Sequence, residues 1–536
     1  MRNLLLRLLS IFLVIFTIGS CANRGNPQGG PKDITPPEII RSVPENYSTN
    51  FTGNEIRIYF DEYVKLKNLT KQLIISPPMN TQPEITPLGS ASKYINIKIY
   101  DTLQPNTTYA FNFGNSIVDN NEENPFPFYR YVFSTGNYID SLQLKGSIKD
   151  ALEAETDEFV TVMLYERVTA YTDSVVYKKL PKYITNTLDS MTTFTLENLK
   201  EGTYKLIALK DGNQDNKYQQ RTDKIAFKEG FVTLPTDSSF TLKLFKEVPD
   251  FKVIRPKLLA GEEIAFGYEG DYEGTKIEIT SVVSDSFAYK VTKEPTTDSL
   301  LYWYKPRMKV DSLLFHVSHP SGYAEDFTVR ISEQKRDSMK LSSSPSGTIN
   351  FDEKFSITSR VPFEHFDKEK VTILDKDSLE VDFDYALDSL NNKFYIDFKK
   401  TEENNYNVRM LPGAISDFFG AQNDTLNYAL KTKTLNDYGN IRVNLIKAVY
   451  PVIVQLTTEK GDVKYEQYAT KPAPVDFRNI NAGKYLLRVV FDSNKNAIYD
   501  PGSFLKNIQP ERVSYYPDII DLRTGFDEVY TFTLLD

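Results

Sequence analysis

The sequence predicts an all-β protein made of tandem β-sandwich domains. Apolar and polar residues alternate in short runs such as Ile56-Arg-Ile58-Tyr-Phe60 and Ile95-Asn-Ile97-Lys-Ile99, and this period of two is typical of half-buried strands. Aromatic residues make up 13% of the chain, with 34 Tyr and 34 Phe, and they favour pleated sheets. Turn residues separate the runs at short, regular intervals, which is typical of sandwiches.

The chain begins with a short apolar segment that ends at Cys21, the only cysteine among 536 residues. Arg2 and Arg7 precede the eleven residues Leu8 to Ile18, which are too few to cross a bilayer and predict a signal peptide over 1–20. The segment Ile18-Gly19-Ser20-Cys21 resembles the lipobox of bacterial lipoproteins. The resemblance implies that Cys21 becomes the first mature residue and carries acyl chains, palmitate among them, that hold the protein on a membrane. The alternative is an ordinary cleaved signal with a chance cysteine.

Composition limits the classes of partner. The net charge is -9, and loss of the two arginines of the signal peptide moves it to -11. Nucleic acid is therefore not an expected partner, because phosphate binding needs clustered Lys and Arg. No second apolar run approaches the roughly 20 residues that cross a bilayer, so the lipid is the predicted membrane attachment. No cysteine remains for a disulfide, and stability must come from core packing.

The chain divides into a tether and five strand-rich blocks. Residues 21–34 contain almost nothing that could be buried, and they predict a lipidated tether that reaches roughly 20 Å. The predicted domains that follow are 35–137, 138–247, 248–342, 343–434 and 435–536.

An internal repeat supports this division. Residues Gly202 to Tyr218 match Gly483 to Tyr499 without a gap, and a repeat at this separation indicates a duplicated domain. A second pair precedes each copy, because Gly114-Asn-Ser-Ile117-Val-Asp119 resembles Gly413-Ala-Ile415-Ser-Asp417. The repeating unit is thus predicted to be two domains, used twice, with 248–342 as an additional β-sandwich between the copies.

Two families resemble these blocks. Block 35–137, with Pro36-Pro37, the Phe60-Asp-Glu-Tyr-Val64 strand and Tyr131-Val-Phe133, resembles the bacterial Ig-like domain of the S-layer type, and 343–434 resembles it more weakly. Blocks 138–247 and 435–536 carry the turns Leu199-Lys-Glu-Gly202-Thr-Tyr204 and Ile480-Asn-Ala-Gly483-Lys-Tyr485, and they resemble the prealbumin-like (carboxypeptidase regulatory-like) sandwich. The layout is similar to Gram-negative outer-membrane lipoproteins that begin with an Ig-like domain. These motifs specify fold rather than activity.

Two loops of the repeat place oxygen-bearing side chains at alternate positions, as calcium loops do. The glycine and the glutamate of the EF-hand pattern are both missing, which favours tight turns closed by Asp and Asn over a metal site. We therefore expect no cofactor, with calcium as the alternative ligand of Asp211, Asn213 and Asp215 in the first loop and of Asp492, Asn494 and Asn496 in the second.

An Asp-Ser or Asp-Thr pair followed by Leu, Val or Met occurs ten times, whereas composition alone would give roughly two. The pattern resembles the acceptor motif for periplasmic O-glycosylation in some Gram-negative bacteria. The alternative is that Asp-Ser is favourable turn chemistry before a strand. The resemblance implies sugars on Thr102, Ser141, Ser174, Ser190, Ser299, Ser312, Ser338, Ser378, Ser389 and Thr425.

Aromatic and histidine positions give little support for catalysis. Tyr302-Trp303-Tyr304 could form an aromatic platform, but a core Trp with flanking tyrosines is the favoured arrangement. His316 alternates with Leu314 and is expected to line a core face, and His319 precedes Pro320 in an expected turn. No zinc-protease, nucleophile-elbow or phosphate-loop motif is present in the sequence, so we expect no enzyme and no catalytic residue.

The favoured hypothesis is a lipid-anchored, non-enzymatic protein of the cell envelope that acts as scaffold or accessory subunit of an outer-membrane protein assembly. Its expected partners are the outer membrane, through Cys21, and other envelope proteins, which would contact sandwich edges and loops. The first alternative is a surface carbohydrate-binding or adhesion lipoprotein, and the second is a hydrolase with a cleft in 248–342 or at a domain junction. Whether the protein faces the periplasm or the outside stays open.

Overall fold

The computed structural model describes residues 33–169, 171–188 and 192–534. Strands account for 49% of the structure and helices for 3%, which confirms the all-β prediction. The described residues fall into two compact units. The first contains 33–143, Lys182–Leu188 and Glu197–Lys200, and the second contains the remaining described residues.

The first unit is a sandwich of two antiparallel sheets. One sheet has the strand order β1-β2-β5-β4, with β7 also paired to β2, and the other has the order β3-β6-β8. Alternate side chains of the facing strands, such as Ile58, Ile97 and Phe111, are fully buried between the sheets. The elements are β1 (Ile39–Val43), β2 (Glu55–Leu66), the short helix α1 (Leu69–Gln72), β3 (Ile74–Ser76), β4 (Glu84–Thr86), β5 (Ser92–Lys98), β6 (Thr108–Asn112), β7 (Ile117–Asp119) and β8 (Arg130–Ser134).

The described residues of the first copy of the repeat form eight strands. They are β9 (Leu142–Asp150), β10 (Thr161–Glu166), β11 (Tyr183–Asn186), β12 (Thr193–Leu199), β13 (Gly202–Lys210), β14 (Lys224–Phe227), β15 (Val232–Leu234) and β16 (Ser239–Leu244). Strand β13 pairs antiparallel with β10, β14 and β15. Strand β16 pairs in parallel with β9, so the last strand of the copy lies beside its first.

The block after the first copy is a second type of sandwich, with a four-stranded sheet of order β17-β18-β21-β20 and a three-stranded sheet of order β19-β22-β23. Phe266, Tyr302 and Phe315 pack edge to face in its core. Its strands are β17 (Lys252–Ala260), β18 (Glu263–Glu269), β19 (Lys276–Ile279), β20 (Ala288–Lys293), β21 (Ser299–Lys305), β22 (Ser312–Ser318) and β23 (Ala324–Arg330).

The next block has two four-stranded sheets, of order β24-β26-β30-β29 and β25-β33-β31-β28, and a β27–β32 pair. Ile357, Phe394, Ile396 and Val408 lie in the core between the sheets. The strands are β24 (Leu341–Ser344), β25 (Gly347–Thr348), β26 (Phe355–Ser359), β27 (Phe363–Phe366), β28 (Val371–Leu374), β29 (Phe383–Asp388), β30 (Lys393–Phe398), β31 (Asn405–Met410), β32 (Ile415–Asp417) and β33 (Leu426–Lys431).

The second copy of the repeat ends the described chain, and its pairing pattern matches that of the first. Strand β38 pairs with β35, β39 and β40, and the last strand, β41, again lies parallel to the first, β34. The strands are β34 (Tyr438–Ile446), β35 (Val452–Thr457), β36 (Val463–Ala469), β37 (Val475–Asn481), β38 (Gly483–Phe491), β39 (Val513–Tyr515), β40 (Ile520–Leu522) and β41 (Asp527–Thr533). Single-turn 3-10 helices lie at Asp173–Tyr177, Lys368–Lys370 and Leu435–Asp437.

Candidate functional site: interaction surfaces

The lipidation site lies outside the described residues. Cys21 and the rest of 1–32 belong to the part of the chain that the structure does not describe, so acylation stays a prediction. Within the described ranges, no helix is both long and apolar enough to span a bilayer.

Nine of the ten predicted acceptor residues of the Asp-Ser/Thr motifs lie within the described residues. Ser299 and Ser312 are half-buried, and each is the first residue of a strand. Ser190 lies outside the described residues. The other seven acceptor side chains are exposed, and they are Thr102, Ser141, Ser174, Ser338, Ser378, Ser389 and Thr425. The exposed positions are accessible to a modifying enzyme, and glycosylation stays a prediction.

The loops suggested as calcium sites are closed by hydrogen bonds to their first aspartate. The carboxylate of Asp211 accepts the backbone N–H groups of Asn213, Gln214 and Asn216 at 2.7–2.9 Å. Asp492 accepts those of Lys495, Asn496 and Ala497 at 2.7–3.1 Å, and also the hydroxyl of Tyr468 at 2.7 Å. This is the turn chemistry that the sequence favours.

The two loops have the same backbone shape. Gln214 and Asn216 have left-handed φ values of 59° and 57°, and the aligned Lys495 and Ala497 have φ values of 66° and 63°. Among the described residues, no group of three or more His, Cys, Asp or Glu side chains is arranged to hold a metal ion. Calcium binding by Asp211, Asn213, Asp215, Asp492, Asn494 and Asn496 stays an untested hypothesis.

The two copies differ in the length of the connection that contains these loops. The connection between β38 and β39, residues 492–512, is longer than the corresponding connection between β13 and β14, residues 211–223. The additional residues of the second copy carry Phe504, which is 1% exposed and packs against the first copy. Its ring lies 5.3 Å from that of Phe227 and 5.9 Å from the ammonium group of Lys205. Burial lowers the pKa of Lys205, whose ammonium group faces these rings.

Polar contacts surround Phe504. Its backbone N–H donates to the carboxylate of Glu247 at 2.7 Å, and the Nε2 of Gln509 donates to the carbonyl of Phe227 at 3.1 Å. Gly502 approaches the first copy so closely that an added Cβ would lie 2.7 Å from the ring of Phe245. We call the segment 500–512 the locking loop, since it joins two copies that are distant in sequence.

A second set of contacts joins the two copies beside the locking loop. The hydroxyl of Tyr515 donates to the carbonyl of Leu152 at 2.7 Å, and Nη1 of Arg488 donates to the same oxygen at 3.2 Å. Arg488 is 3% exposed, and its Nε donates to Gln455 at 2.7 Å. The guanidinium group is therefore held by hydrogen bonds to both copies. Within the second unit, the two copies contact each other directly although other blocks separate them in the sequence.

Trp303 lies at the junction between the third and fourth blocks. It is 1% exposed and packs with Val361 and Phe418, while its Nε1 donates to the hydroxyl of Thr292 at 3.0 Å. Tyr302 and Tyr304 point to the opposite face of β21 and are fully buried in the core of their own sandwich. The segment is thus buried on both faces, and it is not an exposed aromatic platform.

Two adjacent buried carboxylates lie beside this junction. The carboxylate of Glu262 pairs with Arg307 at 2.5 Å and with Arg336 at 2.7 Å. Burial would raise its pKa, but hydrogen bonds from the two arginines hold the pKa below its usual value. Glu263 pairs through one oxygen with Arg360 at 2.6 Å. Its other oxygen is buried without a hydrogen-bond partner among the described residues, and burial raises its pKa to about 7.

A groove of about 610 Å³ lies between the second and third blocks. Its carboxylates are Glu247, Glu269 and Asp298, and the first two are engaged by other groups of the protein. Glu247 accepts the hydroxyl of Tyr218 at 2.5 Å as well as the N–H of Phe504, and Glu269 pairs with Lys252 at 2.7 Å. The hydrolase alternative would need free acids that converge in such a groove, and two of these three carboxylates are held by hydrogen bonds or an ion pair.

The histidines partly contradict the sequence-based expectation. His316 was expected to line a core face, but it lies on the outer face of β22 with Leu314, because Leu313, Phe315 and Val317 fill the core. Its Nδ1 lies 2.6 Å from the carboxylate of Asp326. His319 lies in the expected turn.

The outer face of the sheet β1-β2-β5-β4 carries tyrosines and cations in one row. Arg41 pairs with Tyr59, and Tyr59 pairs with Tyr94, across the three adjacent strands. The guanidinium carbon of Arg41 lies 4.3 Å from the centre of the Tyr59 ring, and the two tyrosine rings are 5.8 Å apart. We call this row, together with the neighbouring Arg57 and Asn96, the tyrosine face.

Comparisons with known proteins bear most clearly on the first sandwich. Residues 33–135 match a family described as the bacterial Ig-like domain, as the sequence motifs of block 35–137 predict. The match favours a structural or surface protein of the cell envelope. It does not extend to 343–434, and the assignment of the two copies of the repeat as prealbumin-like also stays a prediction.

Solved structures share little sequence with this chain. Surface layer protein SbsC, domains 1–6, is 10% identical over 91% of this chain and 68% of that chain, with a TM-score of 0.14. The Bacillus anthracis TIE protein is 10% identical over 95% and 76%, with a TM-score of 0.14. The Ig1-2 module of the Drosophila receptor protein tyrosine phosphatase DLAR is 14% identical over 34% and 98%, with a TM-score of 0.12. Likeness at these TM-scores carries no conclusion, and no curated protein matches the chain significantly.

Proposed function

We propose that this protein is a lipid-anchored, non-enzymatic scaffold or accessory subunit of an outer-membrane protein assembly. The observation that carries the proposal is the locking loop, with Phe504 buried in the first copy of the repeat. Domains within a chain usually move relative to one another unless their interface is substantial and apolar. A buried aromatic anchor surrounded by hydrogen bonds holds the two copies in one arrangement.

The other junctions of the second unit support the same conclusion. Trp303, Val361 and Phe418 form an apolar cluster between the third and fourth blocks. Tyr438 donates to Asn350 at 2.9 Å between the fourth block and the second copy. Fixed junctions keep loops and sheet edges at constant separations, which suits a protein that positions several partners at once.

An exposed sheet edge offers one place for such a partner. Strand β36 (Val463–Ala469) ends the sheet β36-β35-β38-β39, and most of its side chains are exposed. A strand that ends a sheet can accept a strand from another protein through backbone hydrogen bonds. Acyl chains on Cys21 and the tether 21–34 would keep this surface close to membrane proteins.

The proposal is tested by purification of the full protein from its native envelope in mild detergent, through a tag after Asp536. We expect a reproducible set of membrane barrels to accompany the wild-type protein. A Phe504→Ala variant, which loosens the locking loop, should recover fewer of them, whereas Phe526→Ala removes a ring that is 54% exposed and should recover the same set. A protein that is recovered alone under these conditions would contradict the proposal.

A further inference from the structure

We infer that the tyrosine face of the first sandwich is a binding site for an acidic polysaccharide, with Tyr59 and Tyr94 contacting sugar rings and Arg41 pairing with a sugar carboxylate. The site is independent of the locking loop and of any role in protein assembly. It lies wholly on the outer surface of one sheet, whose inner surface forms the core of the sandwich.

Contiguous aromatic exposure distinguishes this face from an ordinary outer face of a sheet. Outward positions on a half-buried sheet are usually polar, and single exposed apolar residues have no special meaning. Here Tyr94 is 42% exposed and lies beside Tyr59, and Val43, 47% exposed, lies on the same side of β1. A contiguous patch of this kind indicates a binding surface.

The stacking geometry suits a sugar. Adjacent strands lie about 4.8 Å apart, so the row Arg41, Tyr59 and Tyr94 extends about 10 Å across the sheet. The rings are inclined by 42° to one another, and the guanidinium group of Arg41 lies over the half-buried Tyr59 ring, so Tyr94 offers the more exposed ring surface. Tyrosine offers a rigid apolar surface with a polar tip, which matches a pyranose ring with its apolar face and hydroxyl rim.

A cation without a carboxylate partner favours an anionic group on the ligand. The face carries Arg41, Arg57 and Lys98 together with the acids Glu55 and Glu84, and Glu38 and Asp61 lie beside it. Arg57 is held by Glu55 at 3.0 Å and by Asn96 at 3.2 Å, which fixes its position. Within the described ranges, Arg41 has no carboxylate at ion-pair distance, and its planar group can take a carboxylate in two hydrogen bonds.

A protein strand is a poorer occupant of this surface. The backbone groups of β2 are already paired on both sides, with β1 and with β5, so a peptide laid across the face would find no ladder of donors and acceptors. A ligand that binds through ring surfaces and anionic groups needs no such ladder. The arrangement therefore favours a polysaccharide over an extended peptide.

The test compares two polysaccharides that share one backbone. Polygalacturonate carries a free carboxylate on each sugar, and highly methyl-esterified pectin carries the same rings with most charges removed. Binding of the full mature protein to each is measured by affinity electrophoresis and by biolayer interferometry. We expect polygalacturonate to bind more tightly than the ester, and added salt to reduce this preference.

Variants separate stacking from charge. Tyr59→Ala and Tyr94→Ala should each weaken binding to polygalacturonate at least tenfold, and Arg41→Gln should weaken it tenfold while reducing or abolishing the preference over the ester. Tyr138→Ala, at a position 54% exposed elsewhere in the same unit, is the matched control and should bind like the wild type. Circular dichroism confirms that each variant is folded. Failure of the wild-type protein to bind polygalacturonate, or equal binding by the wild type and the Tyr94→Ala variant, would overturn the inference.

Discussion

The ring of Phe504 meets the ring of Phe227 edge-on, with their centroids 5.3 Å apart, although the two residues belong to different copies of the duplicated domain. The backbone N–H of Phe504 also reaches Glu247, which is 257 residues away in the chain. The longer loop of the second copy thus forms a contact that joins the two copies.

Replacement of Phe504 by alanine should open this contact. A fully buried phenylalanine costs about 3–5 kcal/mol when truncated to alanine. We expect faster amide hydrogen exchange in the locking loop and in β14, with little change in the first sandwich. Hydrogen exchange with mass spectrometry measures this directly. Phe526→Ala is the control, and equal exchange in the two variants would show that Phe504 does not hold the copies together.

The contributions of the adjacent Glu262 and Glu263 side chains to folding stability should change with pH in opposite directions. Glu263 has a pKa of about 7 in the folded protein, above its ordinary value of 4.5, because it is buried. The folded state thus holds this proton more tightly than the unfolded chain. Its contribution to stability is complete below about pH 4.5 and is lost as the pH rises to about 7. One pKa unit corresponds to about 1.4 kcal/mol, so this pKa shift contributes roughly 2–4 kcal/mol to the free energy of unfolding at low pH.

The fluorescence of Trp303, the only tryptophan, reports unfolding beside these acids, because Glu263 pairs with Trp303 across β18 and β21. We expect Glu263→Gln to reduce the loss of stability between pH 5 and 7.5. Glu262→Gln is the matched control. The folded pKa of Glu262 is lowered, so its contribution is present above the ordinary pKa and is lost on acidification. Identical pH profiles for wild type and Glu263→Gln would contradict this account.

The aspartate that closes the loop of the second copy should matter for stability without calcium. Asp492→Ala leaves three backbone N–H groups and the hydroxyl of Tyr468 without their acceptor, at a cost of about 1.5–3 kcal/mol. We expect faster exchange over 492–500 in this variant, and none in Asp518→Ala, whose side chain is exposed. A calcium-dependent rise in protection of the wild-type loop, reversed by chelator, would instead support a metal site.

Glycosylation can be tested by comparing exposed serines that fit the predicted acceptor motif with an exposed serine that departs from it by one residue. Ser338 and Ser378 are exposed and follow aspartate, with Met or Leu after them. Ser286 is also exposed and follows Asp285, but it precedes Phe287, which departs from the motif. Glycopeptide mass spectrometry of protein from its native host should find sugar on Ser338 or Ser378 and none on Ser286. Unmodified peptides at all exposed motif sites would leave turn formation as the explanation of the motif.

The repeat shows how much of the fold could be predicted from sequence. The gap-free similarity between Gly202–Tyr218 and Gly483–Tyr499 predicted a duplicated domain, and the matching strands β13 and β38 pair with corresponding strands. Local turn chemistry also predicted the roles of Asp211 and Asp492. These features depend on residues close together in the chain, where side-chain type and spacing determine the conformation.

Contacts between blocks could not be predicted in this way. A period of two places Trp303 and Tyr302 on opposite faces, but it does not say that a neighbouring block covers the second face. The same limit explains the error for His316, since alternation alone does not tell which set of residues faces inward. The row Arg41, Tyr59 and Tyr94 comes from three strands, and only their pairing register brings it together.

The central claim, a protein held on the outer membrane by acyl chains on Cys21, is tested most directly by fractionation of envelopes from cells that express wild type or Cys21→Ser. We predict that the wild-type protein sediments with outer membranes, and that the intact mass of its detergent-extracted form begins at Cys21 and includes acyl groups. The Cys21→Ser variant should lose this acylation and leave the outer-membrane fraction. Wild-type protein that is free of lipid and cleaved at another position would contradict the account.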